Sequence, residues 1–192
     1  MSTRRTKIAQ TLRILLLSPI VSCLALVPMS FKPDIISSPT EVVWSVICLA
    51  LLPLLSYAVW FALPSLRNKG RDAQRNLAMI FSFVGYAILF VLSLALSFLP
   101  KMQVFALTYL LSGGILLVCR VFKLRPSGHC CGVCGPIVYL AVFVSPWYAF
   151  ALTLVAVVVW ASKALQRHTV LQCVAGSLIS PLSMIIAALI LL

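Results

Sequence analysis

"NLAMIFSFVGYAILFVLSLALSFLP", residues Asn76 to Pro100, contains no charged side chain. About 20 apolar residues suffice for an α-helix to cross the hydrocarbon core of a bilayer, so this stretch predicts a transmembrane helix. The rest of the chain is similar, because 62% of its 192 residues are hydrophobic and only 9% are charged. Soluble domains carry roughly a quarter charged residues. The composition therefore predicts an integral membrane protein with an all-α, polytopic transmembrane helix bundle.

Six charge-free runs, this stretch among them, set the number of expected spans. Five have the length of a single helix and cover 14–31, 42–66, 76–100, 102–119 and 168–192. The sixth, 126–162, is too long for one span and contains Ser145-Pro146-Trp147, where proline cannot continue a helix. We interpret it as a hairpin of two short helices. Seven spans are expected, at about 11–31, 42–64, 77–99, 102–121, 129–145, 147–164 and 169–191.

The first apolar run has basic residues before it, as a secretion signal does. It continues past Cys23 to Phe31, which favours a retained helix; cleavage would leave six spans. The chain is expected to form a single integrated membrane domain. Residues 1–64 supply N-terminal membrane helices, and residues 65–192 supply a helical core that carries the candidate functional residues.

The 15 Lys and Arg residues are distributed unevenly by this seven-span arrangement. One side of the membrane receives Lys32 and Lys101, and the other receives the remaining thirteen (15 − 2 = 13). The positive-inside tendency predicts that the crowded side is cytoplasmic. A cluster of cations that binds an anion would produce the same asymmetry. The net charge of +12 can therefore reflect either membrane orientation or anion binding. Nucleic acid is not expected as a partner, because the cations lie in short loops without a soluble module.

The segment "HCCGVC", His129 to Cys134, contains C-x-x-C, a spacing found in many zinc and redox sites. A structural zinc site needs four ligands, and no second cysteine pair accompanies this one. Gly128, Gly132 and Gly135 surround the cysteines, and such small residues are typical of close helix contacts. No metal and no cofactor is expected. A cysteine-rich redox or metal-binding membrane protein is kept as an alternative.

Two histidines occur at predicted helix starts on the same side of the membrane. His168 comes two crossings after His129, and cations flank both residues. Ionisable groups at such positions are costly and are often functional. Because the unperturbed pKa of histidine is about 6.5, one imidazole can be neutral and nucleophilic while another donates a proton. The pair predicts acid–base or nucleophilic chemistry at this face.

"PSGH", residues 126–129, and "RHTVLQCVAG", residues 167–176, resemble the second and third signature motifs of the type 2 phosphatidic acid phosphatase superfamily. These membrane lipid phosphatases are related to the vanadium haloperoxidases, and the chain looks like a divergent prokaryotic member. The resemblance covers about the last two-thirds of the chain, from residue 65 onward. It implies metal-independent hydrolysis of a lipid phosphate or polyprenyl diphosphate in a prokaryotic cell membrane, through a phosphohistidine.

The resemblance also implies roles for individual residues. His168 would attack phosphorus, and His129 would protonate the leaving alkoxide. Gln172, one helical turn after His168, would accept a hydrogen bond from its imidazole. Ser127 and Gly128 would lie at a helix N-terminus, where backbone N–H groups favour an anion. The cations expected to bind the phosphate are Arg71, Arg75, Lys123, Arg125, Lys163 and Arg167.

The sequence departs from the pattern of the superfamily at two of its motifs. Ser162 stands where the third motif usually has arginine, with Lys163 one place away, and Gln172 stands where many members have aspartate. The usual first motif, K-x6-R-P, is absent; "KGRDAQRN", residues 69–76, is its expected substitute, with Asp72 holding Arg71 or Arg75. A catalytically degenerate relative that only binds a lipid phosphate is therefore a second alternative.

Overall fold

The computed structural model describes residues 3–192, and across that range the chain forms helices and no strand. The helices are α1 (Thr3–Leu15), α2 (Ser18–Ser30), α3 (Pro39–Ala62), α4 (Gly70–Ala95), α5 (Pro100–Val121), α6 (Gly128–Phe143), α7 (Pro146–Ala164) and α8 (Val170–Leu191). Proline occupies the first or second position of α2, α3, α5 and α7, where its missing N–H is not needed. The all-α prediction is confirmed.

Five helices are long and apolar enough to cross a membrane, namely α3, α4, α5, α7 and α8. The pair α1 and α2 would be a sixth span if counted as one, although the two helices bend by 48° at their junction. With 16 residues, α6 is about 24 Å long, which is less than the roughly 30 Å of the hydrocarbon core. Helices lie at all seven predicted positions, but five of them, or six with the bent pair, have the length and composition of a span, so the predicted count of seven is not confirmed. The apolar helices indicate a membrane-embedded protein.

Proline breaks two of the long apolar runs. The predicted hairpin in 126–162 is confirmed, because α6 ends at Phe143 and a new helix begins at Pro146 with a 3-10 segment, Pro146–Leu152. The span expected at about 11–31 is not one continuous helix. The chain breaks after Leu15 and restarts at Ser18, since Pro19 lacks the N–H that a continuous helix needs and its ring clashes with the preceding turn.

The centre of the bundle is formed where α5 and α8 pack against each other and against α6. Phe105 on α5 is buried between two tyrosines, with ring centroids 5.0 Å from Tyr109 and 4.8 Å from Tyr139, both in edge-to-face geometry. Aromatic pairs of this kind prefer that arrangement because the ring edge is positive and the face negative. This core holds the helices whose ends carry the candidate residues.

Glycine permits close contact at the helix surfaces next to those ends. A side chain at Gly176 of α8 would overlap the backbone of Ser127, which caps α6. A Cβ at Gly135 would lie 2.9 Å from the hydroxyl of Ser180, and one at Gly132 would overlap Ser18. The interpretation of the glycines around the C-x-x-C as close-packing residues is confirmed for Gly132 and Gly135. The N-termini of α6 and α8 consequently lie side by side.

Candidate active site

A cavity of about 740 Å³ lies inside the bundle and reaches the end where α4, α6 and α8 begin. Both His129 and His168 line it. Its volume is within the range of pockets that bind small molecules. The arginines that line it are Arg13, Arg71, Arg75, Arg120, Arg125 and Arg167. We call this arginine-lined part the basic mouth of the cavity.

From the basic mouth the cavity continues into the membrane-spanning part of the bundle. Along α5 its lining runs from Arg120 through Leu116 and Gly113 to Tyr109. The eleven residue-to-residue steps from Tyr109 to Arg120 correspond to about 16 Å at 1.5 Å per step. Beyond the mouth the lining carries no charge, and it combines aliphatic and aromatic residues with hydroxyl-bearing ones such as Ser112 and Ser180. The cavity therefore has a charged end and an uncharged interior.

The loop before α8 orients His168. Gln166 adopts a left-handed conformation, with φ 52°, and the Arg167 N–H donates to the carbonyl of Ser162 over 3.0 Å. This closes α7 with the hydrogen bond of a Schellman turn and reverses the chain. Thr169 then caps α8 through a capping box with Gln172. Two helix-terminal motifs in succession hold the short segment between them.

Gln172 determines which nitrogen of His168 is free. Its Oε1 accepts the Thr169 backbone N–H at 3.2 Å, which identifies that atom as the oxygen, and it lies 3.2 Å from His168 Nδ1. Since an amide oxygen only accepts, Nδ1 must carry the proton. In the neutral ring Nε2 then bears the lone pair. The expected contact between His168 and Gln172 is present, and it favours the tautomer that a nucleophile needs.

The surroundings of His168 also favour its neutral form. Burial lowers the pKa of His168 below its usual value, since the charged ring loses hydration. The Gln172 hydrogen bond opposes this shift, whereas the positive charges of Arg75 and Arg13 reinforce it. Burial likewise lowers the pKa of Arg167, with further contributions from Arg71 and Arg75. At neutral pH the imidazole of His168 is therefore mostly unprotonated.

Ser127 fastens the start of α6 to the start of α8. Its N–H donates to the Gln172 carbonyl at 2.8 Å, and its hydroxyl accepts the Cys130 N–H at 3.3 Å. Ser127 is fully buried and does not line the cavity, whereas the adjacent Gly128 does. The Nε2 atom of His129 is buried and lacks a hydrogen-bond partner among the described residues. The helix cap thus holds a histidine with an unused ring nitrogen at the basic mouth.

The expected phosphate-binding cations divide into two groups. Arg71, Arg75, Arg125 and Arg167 line the cavity with the histidines. Lys123 and Lys163 do not; both are exposed. Lys123 follows α5 in a left-handed conformation with φ 58°. Lys163 lines a shallow outer depression together with Arg167, His168 and Gln172.

Two cavity arginines were not among the residues predicted from the sequence. Arg13 on α1 donates to the hydroxyl of Ser162 over 2.9 Å. Arg120 donates to the Asn76 amide oxygen over 2.7 Å. The sequence showed both as cations at the appropriate end of a span, but it carried no signal for which helices pack together.

The expected partner of Asp72 was wrong. Its carboxylate forms an ion pair with Arg120 of α5, with an N–O separation of 4.0 Å, rather than holding Arg71 or Arg75. Asp72 lies in the first turn of α4 together with Arg71, and both line the cavity. The ion pair therefore joins α4 to α5 at the basic mouth.

The cysteines of the C-x-x-C segment pack within the bundle. Cys130, Cys131 and Cys134 are buried free thiols, and the Cys131 sulfur lies 3.0 Å from the Ser180 hydroxyl. Cys130 packs in a small apolar cluster with Cys173. Across residues 3–192, no group of three or more His, Cys, Asp or Glu side chains is arranged to hold a metal ion.

Comparisons with protein-family models, with curated proteins and with solved structures found no match to this chain. The similarity to the phosphatase superfamily accordingly depends on the two motifs in the sequence. The cavity geometry is an independent observation about the same residues.

Proposed function

We propose that this protein is an integral membrane phosphatase that hydrolyses a lipid phosphate or lipid diphosphate through a phosphohistidine intermediate. The observation that carries the proposal is the joint lining of one cavity by two histidines and six arginines, with Asp72 as its one carboxylate. A phosphoryl group in transfer spreads negative charge over its oxygens, and enzymes stabilise it mainly by positioning and by cations. The basic mouth suits that requirement.

The proposed reaction consists of two displacements at phosphorus. In the first, the lone pair of His168 Nε2 forms an N–P bond while the P–O bond to the leaving group breaks, and His129 transfers a proton to the departing oxygen. In the second, a water oxygen attacks phosphorus, its proton passes to His129, and the N–P bond breaks to release phosphate. A bound phosphate among the arginines would favour the protonated form of His129 that the first step requires.

The interior of the cavity supports a lipid rather than a soluble phosphate ester as the substrate. Its uncharged interior, with Leu17, Leu54 and Leu116 among the lining residues, would accommodate a hydrocarbon chain away from the charged mouth. The asymmetry of Lys and Arg along the chain supports a cytoplasmic location for the mouth. A prokaryotic cell membrane is proposed from the resemblance of the two motifs alone.

A lipid-phosphate-binding relative without turnover is the second candidate, because two residues depart from the superfamily pattern. Gln172 orients His168, but an amide stabilises an imidazolium less than a carboxylate does. Ser162 contributes no charge. In this case the same cavity would bind the substrate and release no product.

The decisive experiment measures phosphate release by purified protein in detergent, without added metal, from a substrate panel. The panel contains short-chain phosphatidate, phosphatidylglycerophosphate and a polyprenyl diphosphate. We expect turnover of at least one of them and transfer of label from its phosphorus to a histidine. Binding of a panel member without release would favour the second candidate. Absence of both binding and release, with the protein folded, would contradict both candidates.

A further inference from the structure

The N-terminal helix α1 contributes the side chain of Arg13 to the cavity, although the two motifs, at 126–129 and 167–176, lie more than 100 residues further along the chain. Helix α1 packs along α7, and near its C-terminus Arg13 Nη1 donates to the Ser162 hydroxyl at 2.9 Å. Ser162 is fully buried, and its hydroxyl has no other side-chain partner among the described residues. This contact is therefore a specific attachment of α1 to the bundle interior.

Arg13 lines the same cavity as His129 and His168. Among the described residues it forms no ion pair, and the one carboxylate of the cavity, Asp72, pairs with Arg120. Its positive charge contributes to the lowered pKa of His168, so the guanidinium acts on that ring. A buried or half-buried cation without a carboxylate partner needs other compensation. An anion at the basic mouth would provide it.

Ser162 connects this arginine to the loop that carries His168. Its hydroxyl accepts from Arg13, and its carbonyl accepts the backbone N–H of Arg167 at 3.0 Å. One buried residue at the end of α7 thus holds a guanidinium from α1 and the backbone next to the nucleophile. Replacement of its hydroxyl would release Arg13 without removing any charge.

The other cations of α1 are placed differently. Arg4, Arg5 and Lys7 are exposed, and none of them lines the cavity. Arg5 lies over the ring of Trp160 on α7, with 5.8 Å between the guanidinium carbon and the ring centroid. These residues suit a role in membrane orientation. Arg5 provides a matched control, because it is the same residue type on the same helix and also contacts α7.

We propose that α1 completes the site: Arg13 is a phosphate-binding residue, and Ser162 is the residue that positions it. The ligand class is a phosphate monoester or diphosphate, presented as a lipid headgroup or as the free anion. The catalytic part of this inference rests on the proposed function, whereas the binding part does not. The region required for activity would then extend to the N-terminal helix rather than begin at residue 65.

The first experiment measures binding with purified, full-length protein and two probes, inorganic phosphate and a short-chain phosphatidate. A hydrogen bond between charged groups corresponds to about 10- to 100-fold in affinity, so Arg13→Ala should raise the Kd of both probes by about that factor. Arg5→Ala should leave both Kd values unchanged. A raised Kd for phosphatidate alone would assign Arg13 to the lipid portion and overturn the phosphate assignment. Equal effects of Arg13→Ala and Arg5→Ala on the Kd values would also overturn the phosphate assignment.

The second experiment separates charge from position. Ser162→Ala should raise KM while kcat changes little, and Ser162→Thr should restore KM because it returns the hydroxyl. The relocation variant Arg13→Ala/Ser162→Arg, which moves the guanidinium from α1 to α7, should recover part of the affinity lost in Arg13→Ala. Thermal unfolding in detergent checks that each variant is folded. If Ser162→Ala changed only the unfolding midpoint, Ser162 would be a structural residue and that part of the proposal would be overturned.

Failure of this inference is distinguishable from failure of the proposed function. If wild type released no phosphate from any substrate, the hydrolase proposal would fail, but the Kd comparison between wild type and Arg13→Ala would still decide the role of Arg13. If wild type turned over substrate and Arg13→Ala matched it in both KM and Kd, the function would stand and this inference would be wrong. If wild type bound neither probe and released no phosphate from any panel member, both would be overturned; if it turned over a panel member without measurable binding of either probe, the KM of Arg13→Ala for that substrate would decide the role of Arg13.

Discussion

The two ends of the bundle treat charge in opposite ways. At the end opposite the basic mouth, Lys101 forms an ion pair with Asp34 at 2.5 Å. At the same end, one oxygen of the Glu41 carboxylate accepts two hydrogen bonds from Ser37, one from the backbone N–H at 3.0 Å and one from the side-chain hydroxyl at 2.6 Å. At the basic mouth, six arginines line a cavity whose one carboxylate is already paired. One end pairs a lysine with an aspartate and leaves one buried oxygen of Glu41 without a partner among the described residues, whereas the other gathers six arginines around a single carboxylate.

This difference separates a structural role from a binding role. Charges that are paired within the chain have no need of an external partner, and an exposed pair such as Lys101–Asp34 contributes little to stability. A cluster of like charges opposes the compact state through repulsion. A bound anion offsets that repulsion, so the basic mouth has the character of a site. Variants at the two ends should therefore affect different measurements.

The largest expected effect is that of His168→Ala. Loss of the nucleophile should reduce phosphate release by at least about 10⁴-fold with every substrate, as removal of a nucleophile does in other hydrolases. Phosphate release and covalent labelling by substrate, measured together, test this. Retention of near-wild-type turnover by the folded variant would remove the basis for regarding the basic mouth as an active site.

The next largest effect is expected for His129→Ala. General acid catalysis is typically worth about 10²- to 10⁴-fold, and it matters only when the departing oxygen needs a proton. A nitrophenyl phosphate, whose leaving group is acidic, should therefore recover part of the activity of His129→Ala but none of that of His168→Ala. Comparison of the two variants with both substrate types gives the result. Equal recovery of both variants would mean that the two histidines have exchanged roles or that another nucleophile operates.

Arginine substitution compares the two ends directly. Arg75→Ala should raise KM by about 10- to 100-fold, because a charge-assisted contact to phosphate is lost. Lys101→Ala, the matched control at the opposite end, should leave KM and kcat within about twofold, since its partner is exposed Asp34. Steady-state kinetics on both variants provide the test. A similar loss in both would indicate that general destabilisation, rather than anion binding, explains the arginines.

The pH dependence of kcat/KM should respond to the neighbours of His168. Its pKa is lowered by burial and by Arg75 and Arg13, and raised by Gln172, so activity should be kept as pH falls to the usual histidine range and be lost below it. Removal of a cation in Arg75→Ala should move this acid limb to higher pH. Removal of the hydrogen bond in Gln172→Ala should move it to lower pH. Shifts in the same direction would contradict the electrostatic explanation.

The smallest effect is expected from the cysteines. Combined replacement of Cys130, Cys131 and Cys134 by alanine or serine should leave turnover within a few-fold of wild type, because these buried thiols act as small packing residues. Phosphate release and sensitivity to chelators measure this. A folded triple variant that lost all activity and recovered with zinc would instead support the redox or metal alternative.

Several features could be predicted from the sequence because they depend on local physics. Apolar runs of helical length indicate membrane helices whatever their partners, and proline at 146 divides the long run because it lacks an N–H. The face shared by His129 and His168 follows from counting crossings between them. The contact of His168 with Gln172 follows from the spacing of one helical turn.

Other features required the tertiary structure, because residues distant in the chain meet only when particular helices pack together. Packing of α1 against α7 places Arg13 within hydrogen-bond distance of Ser162. Packing of α4 against α5 lets Asp72 form its ion pair with Arg120 rather than with Arg71 or Arg75. Apolar periodicity does not specify helix partners in a bilayer, since lipid is as apolar as the helix surfaces and packing detail makes the choice. The sequence by itself determined an all-helical membrane protein with charge concentrated at one end; only helix packing decided which arginines reach the histidines.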